Sequence, residues 1–122
     1  MAELVLIRGL PGSGKSTMAK QDFADHIHLE ADMFFVSEDG EYKYVPKLIK
    51  QAHEWCQAET LKALQEGKDV VVSNTFTQVW EMEQYFAMDY PTKVFEATGN
   101  YQNIHGVPDE TIRRMAERWE EF

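Results

Sequence analysis

The stretch Gly9-Leu-Pro-Gly-Ser-Gly-Lys-Ser16 decides the fold. It matches the pattern G-x-x-x-x-G-K-[S/T], in which a glycine-rich turn joins a buried strand to a helix and surrounds a phosphate with backbone N–H groups. The apolar run Glu3–Arg8 precedes the turn, and helical spacing follows from Ser16 to about Asp25. This placement favours a phosphate-binding loop over a glycine-rich turn with an incidental lysine.

Each part of this loop has an expected role. Gly9, Gly12 and Gly14 are expected to adopt the positive-φ turns that point the N–H groups inward, and the dipole of the following helix reinforces the attraction for an anion. Lys15 is expected to place its charge on the β and γ phosphates of a triphosphate, and the Ser16 hydroxyl to ligate Mg²⁺.

Strand and helix signals alternate along the rest of the chain. Further strands are predicted at 27–31, 69–73 and 93–97, and further helices at 46–66, 78–88 and 108–121. This order predicts an α/β layered fold with a mainly parallel sheet of about four strands flanked by helices. No linker or repeat interrupts the chain, so residues 1–122 are expected to form a single P-loop kinase-like domain.

Composition restricts the partners of this domain. The 122 residues carry 21 Asp and Glu against 12 Lys and Arg, a net charge of −9. This balance opposes broad coating of nucleic acid, although a local basic patch stays open. The longest apolar runs have four residues, which predicts no membrane span and a cytoplasmic protein. The single cysteine, Cys56, is expected to be a buried apolar residue rather than a nucleophile.

Asp32 is the candidate general base. It follows the second predicted strand, at the sheet edge where open α/β folds bind ligands, and could accept the proton of an acceptor hydroxyl or contact Mg²⁺. The alternative is a helix N-cap before Met33. A second acid is expected after the third strand, yet Ser73-Asn74-Thr75 follows it. Either Ser73 and Asn74 hold the metal through water, or Mg²⁺ binds weakly.

Several segments together resemble the small P-loop kinases of the polynucleotide kinase group, most of all their short ATP-binding phage and bacterial members. The resemblance covers nearly the whole chain and rests on Gly9–Thr17, Ala31-Asp-Met-Phe-Phe35, Glu38-Asp-Gly-Glu-Tyr42, Ala52-His-Glu-Trp55, Ser73-Asn-Thr75 and Asn103-Ile-His-Gly-Val-Pro108. It implies a kinase that moves the γ-phosphate of ATP to a nucleic-acid 5′-hydroxyl.

The resemblance also implies site residues. Asp32 would take the general-base position, and Ser16 and Asp32 would contact Mg²⁺. Val107, Pro108 and Arg114 would border the adenine. The expected ATP contacts are Gly9, Pro11, Gly12, Ser13, Gly14, Lys15, Ser16, Thr17, Val107 and Pro108.

This sequence departs from the group at the lid. Kinases of the group carry lid arginines that neutralise the transferring phosphoryl, whereas no arginine lies between Arg8 and Arg113 here. Loss of such a charge can lower turnover by about 10³ to 10⁵. Arg114 is the expected substitute, with Arg113 more exposed and His105 as a second candidate. Lys15, Asp32 and Arg114 therefore form the predicted catalytic set.

Two other departures leave the acceptor open. Phe35 stands where the polynucleotide enzymes have an arginine, and Asn74 where they have an acid. A kinase of a nucleoside or sugar, or a non-catalytic ATP-binding module, therefore remains an alternative. The candidate acceptor pocket is the aromatic cluster near Asp32 in sequence, made of Phe34, Phe35, Tyr42 and Tyr44.

One further pattern involves histidine. His26 and His28 alternate with apolar residues and could share one strand face. A solvated face is expected there, with a metal pair as the alternative.

Overall fold

The computed structural model describes residues 2–99 and 108–121. Within these residues the strands are β1 (Leu4–Arg8), β2 (Ile27–Leu29), β3 (Val70–Asn74) and β4 (Thr92–Glu96), and the helices are α1 (Lys15–Asp22), α2 (Ile49–Gln65), α3 (Glu83–Phe86) and α4 (Asp109–Glu117). Short 3-10 helices cover Ala31–Phe35, Pro46–Leu48 and Val79–Met82.

The four strands form one parallel sheet in the order β2-β3-β1-β4. At the start of β1, Leu4 pairs with Val70 on one side and Thr92 on the other. Every residue of β1 and β3 is buried, as expected of central strands covered on both faces. The predicted α/β fold with a parallel sheet of about four strands is therefore confirmed.

Alternate residues of β1 enter two different cores. Leu4 and Leu6 belong to the larger core, which includes Ala52, Cys56 and Leu64 of α2. Val5 and Ile7 point to the opposite face and pack with Ala19 of α1. This period of two is what a strand between two helical layers requires, and it fixes the carboxyl end of β1 where the loop at 9–14 begins.

The element boundaries differ from the predictions by a few residues. Strand β2 stops at Leu29 instead of residue 31, because the backbone N–H of Ala31 donates to Asn74 Oδ1 (2.9 Å) as a 3-10 helix begins. The long helix begins as a 3-10 turn at Pro46 and continues as α2, and Gly67, at φ +82°, follows its end. The segment predicted as a helix at 78–88 divides into the 3-10 helix Val79–Met82 and α3.

No helix within residues 2–99 or 108–121 combines the length and the apolar character that crossing a membrane requires.

Candidate functional site

The loop between β1 and α1 has the backbone of an anion site. Gly12 and Gly14 adopt positive φ angles of 84° and 91°, as expected. The prediction of a positive φ at Gly9 is wrong. Gly9 is required for a different reason, because a Cβ there would lie 2.8 Å from the carbonyl oxygen of Ala97 and would collide with Ser13 Oγ. Glycine at position 9 therefore permits close packing, whereas the other two permit the turns.

The polar side chains of the loop are suited to a phosphate. Lys15 begins α1, and its Nζ donates to the carbonyl oxygen of Leu10 (3.1 Å). Burial lowers the pKa of Lys15, while the charges of Glu30 and Asp32 oppose that shift. Ser13 Oγ is buried and has no hydrogen-bond partner among the described residues. A buried hydroxyl without a partner, close to a lysine at the start of a helix, fits an anionic ligand.

Glu30 is the functional candidate that the sequence reasoning missed. It follows β2 directly and is nine-tenths buried. Its Oε2 accepts a hydrogen bond from Ser16 Oγ, the expected metal ligand, and another from Ser73 Oγ (2.7 Å) at the end of β3. The signal was present as the pair of acids in Glu30-Ala-Asp32, but the expectation looked for the second acid after β3.

Glu30 is ionised in this environment. Burial raises its pKa, but hydrogen bonds from His28, Ser16 and Ser73 outweigh burial and bring the pKa down to about 2. His28 Nε2 lies 3.0 Å from Glu30 Oε2 and 2.7 Å from Ser73 Oγ. The carboxylate therefore brings a fixed negative charge next to the phosphate-binding loop.

The two histidines do not form the expected solvated face. Both side chains are more than four-fifths buried, and each pairs with a different acid: His26 with Glu3 (2.9 Å) and His28 with Glu30. No group of three or more His, Cys, Asp and Glu side chains placed to hold a metal occurs in the described part of the chain.

The donors around Ser16 fit a magnesium ion. Ser16 Oγ, Glu30 Oε2 and Ser73 Oγ meet at one point, and oxygen atoms are the ligands that Mg²⁺ prefers. Asn74 does not join them. Its Oδ1 accepts from the Ala31 N–H, and its amide group faces the buried Cys56 sulfur. Asn74 thus holds the segment after β2 in place instead of facing the metal donors.

Asp32 lies inside the 3-10 helix Ala31–Phe35, whose N-cap is Glu30, so the N-cap alternative is wrong. Tyr42 donates its hydroxyl to Asp32 Oδ1 (3.1 Å). Burial and the negative charge of Asp32 raise the pKa of Tyr42 to about 12, which keeps it a donor at neutral pH. The bridge between Val36 and Tyr42 closes the turn that brings the tyrosine back to Asp32.

The predicted aromatic cluster is assembled around Phe35. This ring is buried and lies edge-on to Phe34, Tyr42 and Tyr44, at centroid distances of 5.4, 6.4 and 5.2 Å. Tyr44 is half exposed. Because Tyr42 also contacts Asp32, the cluster presents aromatic surface beside the candidate base.

The structure places Arg114, the expected substitute for the lid arginines, at an exposed position of α4. It makes an exposed ion pair with Glu110 (2.7 Å), one helical turn earlier in α4. Arg113 is also exposed. The prediction from the sequence did not consider Glu110 as a partner for Arg114. His105 and Val107 lie outside the described residues, and Pro108 is exposed at the N-cap of α4.

The fold and this loop define a P-loop nucleotide-binding protein. Residues 4–97 match a family model described as AAA domain, and the chain belongs to that family.

Two relatives show similar sequences. Human NEDD4-binding protein 2 is 35% identical over 136 residues, which cover 98% of this chain and 8% of that protein. The uncharacterized protein PM0531 of Pasteurella multocida (strain Pm70) is 31% identical over 135 residues, covering 94% of this chain and 75% of that protein. The chain thus spans a small part of the first relative and three quarters of the second. Both matches are longer than the 122 residues of this chain, so both relatives carry residues that it lacks.

Solved structures share the fold at low sequence identity. A chain of the Pnkp1/Rnl/Hen1 complex superposes with a TM-score of 0.65 at 18% identity, over 93% of this chain and 38% of that one. A gluconokinase from Sinorhizobium meliloti 1021 gives 0.61 at 14% identity, over 98% of this chain and 75% of that one. These likenesses establish the shared fold alone.

Proposed function

We propose that this protein is an ATP-dependent kinase that transfers the γ-phosphate to a hydroxyl group. The observation that carries the proposal is the position of Asp32. It follows the metal-donor candidate Glu30 by two residues, its charge reaches the loop lysine Lys15, and it contacts the aromatic cluster through Tyr42. A carboxylate between a phosphate site and an acceptor surface is the arrangement that phosphoryl transfer needs.

The phosphate-binding loop would hold the phosphates of ATP during the reaction. Lys15 would hold the β and γ phosphates of ATP together with backbone N–H groups of the loop other than those of Gly9 and Ser13, which donate to the carbonyl oxygens of Thr75 and Leu10. Ser16, with Glu30 and Ser73, would hold Mg²⁺, which when bound neutralises charge on these phosphates. Glu30 takes the place of the acid that was expected after β3, so Asn74 does not by itself imply weak metal binding.

Asp32 would act as the general base for the acceptor hydroxyl. The hydroxyl oxygen of the acceptor attacks the γ-phosphorus, the bond from that phosphorus to the β–γ bridging oxygen breaks, and ADP leaves with that electron pair. Asp32 accepts the proton that the hydroxyl loses. Tyr42 donates to Oδ1 of this carboxylate and so fixes its orientation. We therefore assign Tyr42 a positioning role.

A nucleic-acid 5′-hydroxyl is the leading acceptor. Tyr44 and Tyr42 give an exposed aromatic surface next to Asp32, and stacking of a base on such rings contributes about 1 to 3 kcal/mol without positive charge. The fold likeness to a chain of the Pnkp1/Rnl/Hen1 RNA repair complex supports the same choice.

An uncharged small acceptor, such as a nucleoside or sugar, is the second candidate. Glu38, Asp39 and Glu41 are exposed in the turn that ends at Tyr42, and the chain carries a net charge of −9. These charges repel a polynucleotide backbone but tolerate a neutral hydroxyl compound. The outward position of Arg114 supports a third reading, a module that binds ATP without transferring phosphate.

The proposal is tested by incubating the protein with Mg²⁺ and ATP labelled at the γ-phosphate. The acceptors are 5′-hydroxyl DNA, 5′-hydroxyl RNA, nucleosides and simple sugars, and Lys15→Ala serves as the inactive control. Label on any acceptor, absent with the control, supports a kinase and identifies the acceptor class. ATP binding without label on any acceptor would leave the binding module as the function.

A further inference from the structure

A cleft of about 720 Å³ opens beside the phosphate-binding loop. Among the described residues it lies between the loop at 9–13, the segment 96–99 that begins with the last residue of β4, and α4 with the residues that follow it. Its apolar lining comes from Leu10 and Pro11 on the loop and from Ile112, Ala116 and Trp119 on the other side. Ile112 and Ala116 lie one turn apart on α4, and Trp119 follows two residues after the end of that helix. The volume is within the range of sites for nucleotide-sized ligands.

The ring of Trp119 packs against the guanidinium group of a buried arginine, Arg8. The guanidinium carbon of Arg8 lies 4.1 Å from the centroid of the Trp119 ring, within the range of a cation–π contact. Arg8 is 2% exposed, and its Nη2 donates to the carbonyl oxygens of Phe76 (2.7 Å) and Glu120 (2.6 Å). Because Arg8 ends β1 directly before Gly9, the same residue connects the loop and the indole of the cleft.

The charged residues that line the cleft disfavour a second phosphate site. Among the described residues the lining includes three acids, Glu96, Asp109 and Glu121, and no Lys, Arg or His. Negatively charged carboxylates repel an anion such as a phosphate, but they accept hydrogen bonds from amino groups. Since the loop that binds the phosphates also forms one side of the cleft, the uncharged end of the same nucleotide is the ligand that matches it.

We propose that Trp119, held in place by Arg8, is the stacking surface for the nucleobase of the nucleotide whose phosphates lie on the loop at 9–16. This inference rests on the nucleotide binding of the proposed function and not on phosphate transfer. Trp119 is then a specificity-determining residue, because it gives a nucleotide a higher affinity than a polyphosphate without a base.

The test compares the affinities for ATP and for inorganic tripolyphosphate, each with Mg²⁺, by calorimetry. The loop can hold both ligands, but a base is present in ATP alone. We expect the wild type to bind ATP about tenfold more tightly or better, and Trp119→Ala to lose about tenfold in ATP affinity while keeping its tripolyphosphate affinity. Trp119→Phe should recover part of the loss. Trp80→Ala is the matched control, since Trp80 is 64% exposed and does not line the cleft.

The outcomes separate this inference from the proposed function. Equal wild-type affinities for the two ligands would overturn the inference, and so would a Trp119→Ala variant that loses both affinities together or neither. A protein that transfers no phosphate yet discriminates ATP from tripolyphosphate through Trp119 would support the inference and end the kinase proposal. If neither ligand binds the wild type, both fail.

Discussion

Ser16 donates its hydroxyl hydrogen to Glu30, which joins the phosphate-binding loop to the carboxylate after β2. Ser73, at the end of β3, donates to the same carboxylate oxygen (2.7 Å). The ends of β2 and β3 and the start of α1 therefore meet in one oxygen cluster, which parallel strands permit because their carboxyl ends lie at the same sheet edge.

The first prediction concerns this cluster. Glu30→Gln keeps the size of the side chain but removes its charge, so we expect Mg²⁺ to bind about 10 to 100 times more weakly in the presence of ATP. The measurement is the rise in melting temperature that ATP produces with Mg²⁺, compared with the rise in EDTA. Glu41→Gln, an exposed acid in the same region of the chain, is the control and should behave as the wild type. An unchanged Mg²⁺ dependence in Glu30→Gln would contradict the assignment.

The second prediction concerns the loop lysine. Saturation with Mg²⁺ and ATP at a hundred times the dissociation constant adds about 2.7 kcal/mol to the free energy of unfolding, which raises the melting temperature by several degrees. Lys15→Ala should abolish most of this gain. Lys20→Ala, which removes an exposed lysine of the same helix, should keep it. If ATP leaves the melting curve of the wild type unchanged, the loop at 9–16 is not an ATP-binding site.

The third prediction concerns the buried arginine. Arg8 donates to three backbone carbonyls, those of Phe76, Thr77 and Glu120, and lysine cannot reproduce this planar arrangement. Arg8→Lys should therefore lower the free energy of unfolding by about 1 to 3 kcal/mol. Chemical denaturation measures this loss. Arg113→Lys, at an exposed position, should change stability by less than about 0.5 kcal/mol.

The fourth prediction concerns alkaline stability. Burial and the adjacent Cys56 thiol raise the pKa of Tyr85 well above its ordinary value of 10.0. A raised folded-state pKa means that the stability it provides is complete below pH 10 and is lost as the pH rises, because the unfolded chain releases the proton first. Between pH 8 and pH 10.5 this residue should account for a loss of about 1 kcal/mol.

Tyr85→Phe isolates that loss. The variant lacks the titrating hydroxyl, so its free energy of unfolding should fall less than that of the wild type over the same pH interval, as measured by urea denaturation. Parallel loss in the two proteins would show that Tyr85 does not titrate in the unfolding reaction.

The sequence was sufficient for the parts of the site that depend on local pattern. Strand, turn and helix signals within a few residues of each other predict the loop at 9–16, the parallel sheet and the position of Asp32 after β2. Gly12 and Gly14 have the positive φ angles that the motif requires. The aromatic residues near Asp32 are close in sequence, and a short turn was enough to bring them together.

Contacts between distant segments could not be predicted in this way. The contact between Arg8 and Trp119 joins residues more than a hundred positions apart, and the meeting of Glu30 with Ser73 depends on β2 pairing with β3. The exposed ion pair of Arg114 with Glu110, one turn away in α4, is a local contact that the prediction for Arg114 did not include. If no arginine of this chain reaches the phosphates, a partner that supplies one becomes the next idea to test.

The central claim is that Asp32 accepts the proton during phosphate transfer, and the rate of Asp32→Asn tests it most directly. Asparagine keeps the size and hydrogen bonding of the side chain but cannot act as the base. With the best acceptor from the labelling screen, the transfer rate should fall by about 10² to 10⁴ while the calorimetric affinity for ATP stays within about twofold of the wild type. A variant that transfers phosphate as fast as the wild type would contradict the account.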